Sequence, residues 1–228
     1  MPLNKLGIVI PVFNEENNIE GVLRSWSNKI IKLGLKNYKF IVINDGSTDN
    51  TLKKLNNIKI NKIKIITINN QGHGSACLYG YNFVIKNKFD WVLQIDGDGQ
   101  CNPFFFDDFV KLSKKNKIIF GYRFKRKDGY LRVIFSRVLS FLIFLKTFIY
   151  IKDPNVPYRL INTTELRKVI GKIPSNIILK NVFLTLMLKK KFKKIRYTSI
   201  IFDQRSSGYS KYNYFSLIKQ LLNLIVKL

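Results

Sequence analysis

Five short apolar runs rich in β-branched residues recur through the first half of this chain, and helix-length segments separate them. The runs lie at 7–13, 38–43, 63–68, 91–95 and 118–122, and the helical patterns lie at 17–33, 49–55, 75–86 and 103–112. Strands that alternate with helices are typical of parallel sheets, because a parallel connection must cross back over the sheet. We therefore predict an α/β fold with a mostly parallel sheet and helices on both faces.

Length and charge limit the possible partners. The chain has 228 residues, of which 46% are hydrophobic, which is enough for one domain with a sizeable core. Its 40 Lys and Arg residues against 14 Asp and Glu give a formal net charge of +26. This excess predicts anionic partners, which are phosphates, an anionic membrane surface or nucleic acid. One histidine and two cysteines argue against a disulfide framework, a zinc site and a Ser-His-Asp triad.

Two basic, apolar segments in the second half suit a membrane surface. On a helix over 132–147, the polar residues form one narrow stripe, and 213–228 repeats the pattern. Such helices can lie in a lipid interface, although packing against the core is the alternative. The N-terminus lacks a secretory signal, and no uncharged run reaches the 18 or so residues of a membrane span. We expect a cytoplasmic protein, peripheral on the inner face of the membrane.

Two aspartates follow the fourth predicted strand on a glycine-rich turn, in the segment QIDGDGQ at 94–100. Carboxylate oxygens are the ligands that hard divalent cations prefer, so Asp96 and Asp98 could hold an ion that leaves positions open for a diphosphate. A solvated turn is the alternative. Because the carboxyl ends of parallel strands share one edge, polar residues after the other strands should lie nearby.

Asp45 and two glycines are the candidates among those neighbouring residues. Asp45 follows the second predicted strand, and its carboxylate can accept hydrogen bonds from a nucleobase or ribose. Gly72 and Gly74 follow the third, where they could let the backbone approach a ligand or only open the next helix. The chain has no P-loop and no GxGxxG turn, which removes the usual nucleotide-loop mechanisms.

Four ordered blocks resemble glycosyltransferase family 2, the inverting enzymes of the GT-A fold. They are IPVFNEE at 10–16, INDGSTD at 43–49, Asn69 with GHGSA at 72–76, and DGDGQ at 96–100 followed by Pro103. The chain is most similar to dolichyl-phosphate mannose synthases and bacterial polyprenyl-phosphate sugar transferases, through GYR at 121–123, DPNVPYR at 153–159 and RSSGYSK at 205–211.

The resemblance implies a domain organisation and a set of roles. It implies a GT-A domain at 1–212, with a nucleotide-sugar-binding half at 1–127, an acceptor-binding half at 128–212, and an amphipathic membrane-interface helix at 213–228. It implies nucleotide-sugar binding by Pro11, Asn14, Glu15, Asp45, Gly72, Gly74 and Asp96. It implies Mg²⁺ or Mn²⁺ on Asp96, Asp98 and Gln100, with Asp98 and Asp153 catalytic. It implies acceptor-phosphate binding by Arg123, Arg132, Arg137, Arg205, Ser210 and Lys211.

The sequence departs from the family pattern at two positions. Asn44 precedes Asp45 where the family commonly has two acids, and Pro157 replaces the acid that some relatives place before the aromatic-Arg pair. Asp153 is therefore the candidate base. A phosphate acceptor reduces the need for one, because its second pKa near 6 leaves it largely ionised at neutral pH.

The resulting prediction is an inverting hexosyltransferase that uses a GDP- or UDP-linked sugar and a polyprenyl phosphate on the cytoplasmic membrane face. A family 2 enzyme that extends a surface polysaccharide or lipid-linked glycan is the first alternative. A non-catalytic basic protein that binds membrane or nucleic acid is the second, and nucleic acid is not the expected partner. A small membrane subunit is a further candidate partner.

Overall fold

The computed structural model describes residues 3–126, 130–202 and 223. The strands are β1 Leu6–Val12, β2 Tyr38–Asn44, β3 Ile63–Thr67, β4 Trp91–Gln94, β5 Ile118–Arg126, β6 Arg159–Asn162 and β7 Arg196–Phe202. The helices are α1 Ile19–Lys32, α2 Thr51–Asn57, α3 His73–Lys86, α4 Phe106–Ser113, α5 Tyr130–Thr147, α6 Thr163–Ile170 and α7 Lys180–Phe192. A 3₁₀ turn, Pro103–Phe105, leads into α4.

Within the described residues these strands form one sheet in the order β3-β2-β1-β4-β6-β5-β7. Neighbouring strands are parallel except at β6, which is antiparallel to both β4 and β5. The predicted α/β class and mostly parallel sheet are confirmed. The strand order reverses beside β1, because the chain first builds outward to β3 and then returns to place β4 on the other side. Ligands bind at such a switch point in open α/β sheets.

The central strands are buried on both faces, which explains their unbroken apolar sequences. All seven residues of β1 are buried, as parallel strands covered by helices require. Helix α3 packs closely on β1 because two glycines leave room for valines. A Cβ at Gly7 would lie 2.6 Å from Val84 Cγ2, and one at Gly80 would lie 2.3 Å from Val9 Cγ1.

A second, smaller core supports α5. Leu139 and Ile143 of α5 pack with Ile151, Ile177 and the apolar residues of α7. The predicted helix over 132–147 is therefore present, and one side of it packs as the alternative interpretation expected. No helix among the described residues is long and apolar enough to cross a membrane. The helix predicted over 213–228 lies outside the described residues except for Asn223, so it and the proposed division of the chain stay predictions.

Candidate active site

Pro11 lies at the crevice between β1 and β4. The two strands pair only as far as Val9 and Gln94, and Val9 O then accepts a hydrogen bond from Ile95 N–H at 3.1 Å. Alternate residues of a strand present their backbone groups to the same side. The nitrogen of Pro11, which carries no hydrogen, therefore faces β4 beyond the last hydrogen bond between the two strands. The strand order and this early end together open the sheet at its carboxyl edge.

Asn14 and Glu15 join the loop after β1 to the loop after β2. Asn14 has a φ of 55°, a left-handed conformation that asparagine tolerates. Its Nδ2 donates to Thr48 Oγ1 at 3.2 Å, and its Oδ1 accepts from Thr48 N–H at 2.8 Å. Glu15 N–H donates to Thr51 Oγ1 at 2.8 Å, and its carboxylate accepts from Asn18 at 2.7 Å. Both residues lie at the carboxyl edge and hold its loops together.

Asp45 is 3% exposed and connects three neighbouring segments. Its N–H donates to Val12 O at 2.9 Å, which sets it beside the end of β1. Its Oδ1 accepts from the N–H of Gln71, after β3, at 2.9 Å. A carboxylate fixed in this way is a preorganised acceptor at the crevice edge, as a base- or ribose-binding role requires.

The two candidate glycines have different structural tasks. Gly72 has a φ of 86°, and no atom lies within 4 Å of the place where its Cβ would be. It directly precedes α3, so it supplies the turn that starts this helix. Gly74 instead allows close packing, because a Cβ there would lie 3.0 Å from Lys180 Cβ and 3.3 Å from Ile178 O. Their contact with a nucleotide sugar stays a prediction.

The two carboxylates predicted to bind metal lie on one turn after β4. Asp98 Oδ1 accepts from Gln100 N–H at 3.1 Å, and Gln100 is 4% exposed. Two carboxylates and an amide form a hard oxygen donor set, which fits Mg²⁺ or Mn²⁺. In the part of the chain that the structure describes, no three His, Cys, Asp or Glu side chains group into a metal site. A bound ion would therefore need further oxygen ligands from water or a substrate diphosphate.

Asp96 is held from two directions. Gln94 Nε2 donates to its Oδ1 at 3.3 Å from the core, and the Tyr81 hydroxyl in turn donates to Gln94 Oε1 at 2.9 Å. His73 Nε2 contacts the same Oδ1 at 2.8 Å from the solvent side. Desolvation alone would lower the pKa of His73, but Cys77 and the Asp96 carboxylate outweigh it and raise that pKa well above its usual value. Gln94 begins the segment noted at 94–100, but the sequence gave it no role, and Tyr81 gave no signal at all.

The buried Cys101 thiol responds to the charges of both predicted metal ligands and of Arg123. Burial raises the pKa of the Cys101 thiol, the charge of Asp96 adds to this effect, and Arg123 opposes it. The charge of Asp98 also raises the pKa of this thiol. One buried thiol is thus within electrostatic reach of both predicted metal ligands and of Arg123.

Arg123 and Asp153, predicted for phosphate binding and catalysis, form an ion pair with each other. Arg123 Nε donates to Asp153 Oδ2 at 2.8 Å, and Nη2 donates to Oδ1 at 2.6 Å. The side chains are 8% and 4% exposed. The guanidinium also lies over the ring of Phe202, 5.0 Å from its centroid. The structure brings these two residues together, and their roles in the reaction stay predictions.

A cavity of about 500 Å³, here called the β5–α5 pocket, opens above this ion pair. Arg123, Asp153 and Lys152 line it together with Arg137, and aromatic and aliphatic side chains complete the wall, namely Tyr122, Phe124, Val133, Phe141, Phe144 and Tyr150. Arg132 belongs to α5. Arg205, Ser210 and Lys211 lie outside the described residues. The sequence predicted apolar helices here but not this aromatic wall, because its residues come from β5, from α5 and from the loop after α5.

Sequence comparison identifies relatives of the chain. The family model described as Glycosyl transferase family 2 matches residues 7–184. An uncharacterised protein from Methanocaldococcus jannaschii is 30% identical over 219 residues, which cover 88% of this chain and 90% of that protein. The undecaprenyl-phosphate 4-deoxy-4-formamido-L-arabinose transferase of Serratia proteamaculans is 25% identical over 229 residues, which cover 98% of this chain and 68% of that protein.

Solved structures show the same fold. The glucosyl-3-phosphoglycerate synthase of Mycobacterium tuberculosis, crystallised with Mn²⁺, UDP-glucose and glycerol 3-phosphate, superposes with a TM-score of 0.72 at 17% identity. The superposition covers 98% of this chain and 80% of that one. At this identity the likeness shows the architecture alone.

Proposed function

Because the chain belongs to glycosyl transferase family 2, we propose that it transfers a hexose from a UDP- or GDP-linked sugar to a polyprenyl phosphate, such as dolichyl or undecaprenyl phosphate. The transfer inverts the anomeric carbon and takes place on the cytoplasmic face of the membrane. The observation that carries this proposal is the β5–α5 pocket. It combines an arginine in its floor with an apolar wall, as a ligand with an anionic head and a hydrocarbon tail requires.

The donor belongs at the crevice between β1 and β4. Asp45 accepts from the base or ribose, and the segment 96–100 faces the diphosphate. A divalent ion on Asp96, Asp98 and Gln100 would neutralise charge on the departing nucleoside diphosphate. Gln94 and His73 both contact Oδ1 of Asp96, which fixes the direction of the carboxylate before a donor arrives. Such preorganisation lowers the cost of binding a diphosphate in the correct geometry.

The acceptor phosphate belongs beside Arg123 and Arg137. A guanidinium matches the shape of a phosphate. Several cations also offset the electrostatic cost of bringing the acceptor phosphate near the donor diphosphate. A phosphate oxygen forms the new bond to the anomeric carbon as the bond from that carbon to the nucleoside diphosphate breaks. The acceptor is already ionised at neutral pH, so no proton has to be removed.

The exposed side of α5 is the proposed contact with an anionic membrane surface. Ile134, Val138, Phe141 and Leu145 form a stripe of large apolar side chains that are 40% to 59% exposed, and Phe148 after the helix is 84% exposed. We call these five residues the α5 stripe. Exposed apolar surface of this kind marks an interaction site more often than chance. Phe141 also lines the β5–α5 pocket, so a lipid tail could pass from the pocket into a bilayer.

The decisive experiment measures release of nucleoside diphosphate from a panel of UDP- and GDP-sugars. Each donor is tested with Mn²⁺, Mg²⁺ or EDTA, and with or without a short-chain polyprenyl phosphate in detergent. We expect release from one donor that requires both a metal and the lipid phosphate. Release that requires metal but ignores the lipid would favour a saccharide acceptor. No release from any donor would favour a non-catalytic binding protein.

A matched pair of variants tests the site in the same assay. Asp98→Asn should lower metal-dependent transfer by at least about 100-fold, because it removes a charged ligand. Asp107→Asn is the control, since that carboxylate pairs with Lys29 on α1 and belongs to neither proposed binding site. Full activity in Asp98→Asn would refute the assignment of the site.

A further inference from the structure

Asp153 is placed to hold Arg123 rather than to remove a proton. Each of its carboxylate oxygens accepts from the Arg123 guanidinium, at 2.6 and 2.8 Å, and Oδ2 also lies 3.4 Å from the Arg123 backbone N–H. We infer that Asp153 is a positioning residue, whose carboxylate fixes the guanidinium of Arg123 in the floor of the β5–α5 pocket. The inference rests on the proposed function, because it concerns the acceptor phosphate.

Asp153 and Phe202 both restrain the Arg123 guanidinium. Asp153 takes two of its five N–H donors, Nε and Nη2. The guanidinium carbon lies over the ring of Phe202, 5.0 Å from its centroid. With one edge paired and this ring beside it, the guanidinium has little freedom to rotate. A long side chain that is already ordered loses less conformational entropy when it binds a phosphate.

The strand that carries Arg123 is irregular at this position. The pairing of β5 with β7 shifts register between Arg123 and Lys125, with Phe124 as the additional residue. A bulge re-aims the side chains beside it, and bulges are frequent next to active sites. The bulge leaves Phe124 60% exposed, while the Arg123 side chain is 8% exposed. The bulge in the backbone is therefore compatible with a buried ion pair between Arg123 and Asp153.

The loop that carries Asp153 is anchored from the core. Arg159 is fully buried and donates to the carbonyls of Pro154, Val156 and Asn181 at 3.1, 2.6 and 2.9 Å. Thr185 Oγ1 donates to the same Pro154 carbonyl at 3.1 Å. These bonds fix the backbone directly after Asp153. A firmly held carboxylate suits a residue that positions a neighbouring side chain, whereas a general base must reach the proton of its substrate.

The test is a double-mutant cycle on acceptor kinetics with Asp153→Asn, Arg123→Ala and the double variant. We expect Asp153→Asn to raise the KM for the acceptor about tenfold while kcat changes less than about threefold, since a charge-assisted hydrogen bond is lost. The acidic limb of the pH profile should not move. In the Arg123→Ala background, Asp153→Asn should cost nothing more, because its effect passes through Arg123. Asp107→Asn is the matched control.

The opposite pattern would overturn the inference. A general base would lose about 100-fold or more in kcat at unchanged KM, shift the acidic limb, and add its full loss to that of Arg123→Ala. A second measurement avoids any folding defect of the variants. The ¹⁵N signal of Arg123 Nε–H, assigned with Arg123→Lys, should stay protected from exchange in the wild type when short-chain polyprenyl phosphate is added. Loss of protection would show that Asp153 releases Arg123, which contradicts a positioning role.

The two proposals fail separately. If the wild type transfers no sugar to polyprenyl phosphate, the proposed function fails, and the cycle is run with the acceptor that the wild type does use. If transfer occurs but the two variants are independent, only the positioning role of Asp153 fails.

Discussion

Gly97 determines how closely the turn with Asp96 and Asp98 approaches β1. A Cβ at this position would lie 2.6 Å from Val12 Cγ1 and 3.3 Å from the carbonyl oxygen of Pro11. The 2.6 Å contact forces a shift, because Val12 is buried and its short β-branched side chain has little freedom to move. We expect Gly97→Ala to move the turn away from β1 and to lower transfer at least about tenfold, as small misplacements in catalytic sites do.

The measurement is metal-dependent sugar transfer, accompanied by thermal unfolding. Gly21→Ala is the matched control, because nothing lies within 4 Å of a Cβ at this exposed position of α1. That change should stabilise the protein by about 0.5–1 kcal/mol, since alanine favours helix. Unchanged activity in Gly97→Ala would show that the position of the turn does not matter.

Glu165 gives the protein a measurable pH dependence. Burial alone raises the pKa of Glu165, but hydrogen bonds from Lys168 and Lys117 outweigh it and lower that pKa below 4.5. A lowered pKa means that the carboxylate stabilises the fold above pH 4.5, and that this contribution disappears as the pH falls through the lowered value. We expect Glu165→Gln to cost about 1 kcal/mol at neutral pH, because both lysines are partly exposed and solvent weakens the pairs.

Denaturant unfolding at a series of pH values tests this expectation. The difference between wild type and Glu165→Gln should shrink as the pH falls below 4.5 and through the lowered pKa of Glu165. Glu20→Gln is the control, because its pair with Arg24 is exposed on both sides and should be worth about 0.3 kcal/mol. A difference that stays constant with pH would mean that the charge of Glu165 contributes nothing.

Sequence reasoning located individual residues better than it located their partners. Asp45, Asp96 and Asp98 could be placed at one edge, because each lies shortly after the end of an apolar run and parallel strands end together. The pairing of Arg123 with Asp153 could not be predicted, because it depends on a loop and a bulge that have no sequence period. The same limit applies to Gln94, whose role becomes clear only when Tyr81 packs beside it.

At the level of elements, the strands that could be predicted in the first half are those with a largely apolar sequence. The predicted run at 38–43 corresponds to β2 Tyr38–Asn44, in which the segment FIVI at 40–43 is buried and apolar because helices cover both faces of the sheet. β6 was not predicted. It has only four residues, starts with the buried Arg159 and ends with Asn162, so its formation depends on tertiary contacts with its neighbours rather than on β propensity.

The exposed side of α5 supports a prediction at the same scale. Leu145 and Phe148 are 54% and 84% exposed and do not line the β5–α5 pocket. If the α5 stripe enters a bilayer, Leu145→Ser with Phe148→Ser should weaken binding to anionic vesicles by about tenfold or more, since each buried side chain of this size is worth about 1.5–3 kcal/mol. Transfer to a detergent-solubilised acceptor should not change.

Vesicle co-sedimentation measures this effect. Phe104→Ser is the control, because Phe104 is 72% exposed but belongs to the 3₁₀ turn before α4. If Phe104→Ser and the double variant lose equal vesicle binding, the binding reflects general surface hydrophobicity rather than the α5 stripe.

The whole molecule carries a formal charge of +26. If the α5 stripe contacts an anionic membrane as we propose, this charge adds a long-range attraction to that contact. Arg137 and Lys146 lie on α5 itself, and the same helix faces solvent with large apolar side chains. Basic residues near an anionic surface contribute about 1 kcal/mol each, and the contribution falls off within a Debye length. Apolar burial, by contrast, is not screened by salt.

The two forces can be separated by varying salt and lipid charge together. Between 0.1 and 1 M salt the Debye length falls from about 10 to about 3 Å, so affinity for anionic vesicles should fall by about tenfold or more. Binding to neutral vesicles should be weaker at low salt and change little, because apolar burial rather than charge drives it. Leu145→Ser with Phe148→Ser should weaken this neutral component and leave the salt-sensitive one. Binding that ignores both salt and lipid charge would show that the positive charge does not direct this protein to a membrane.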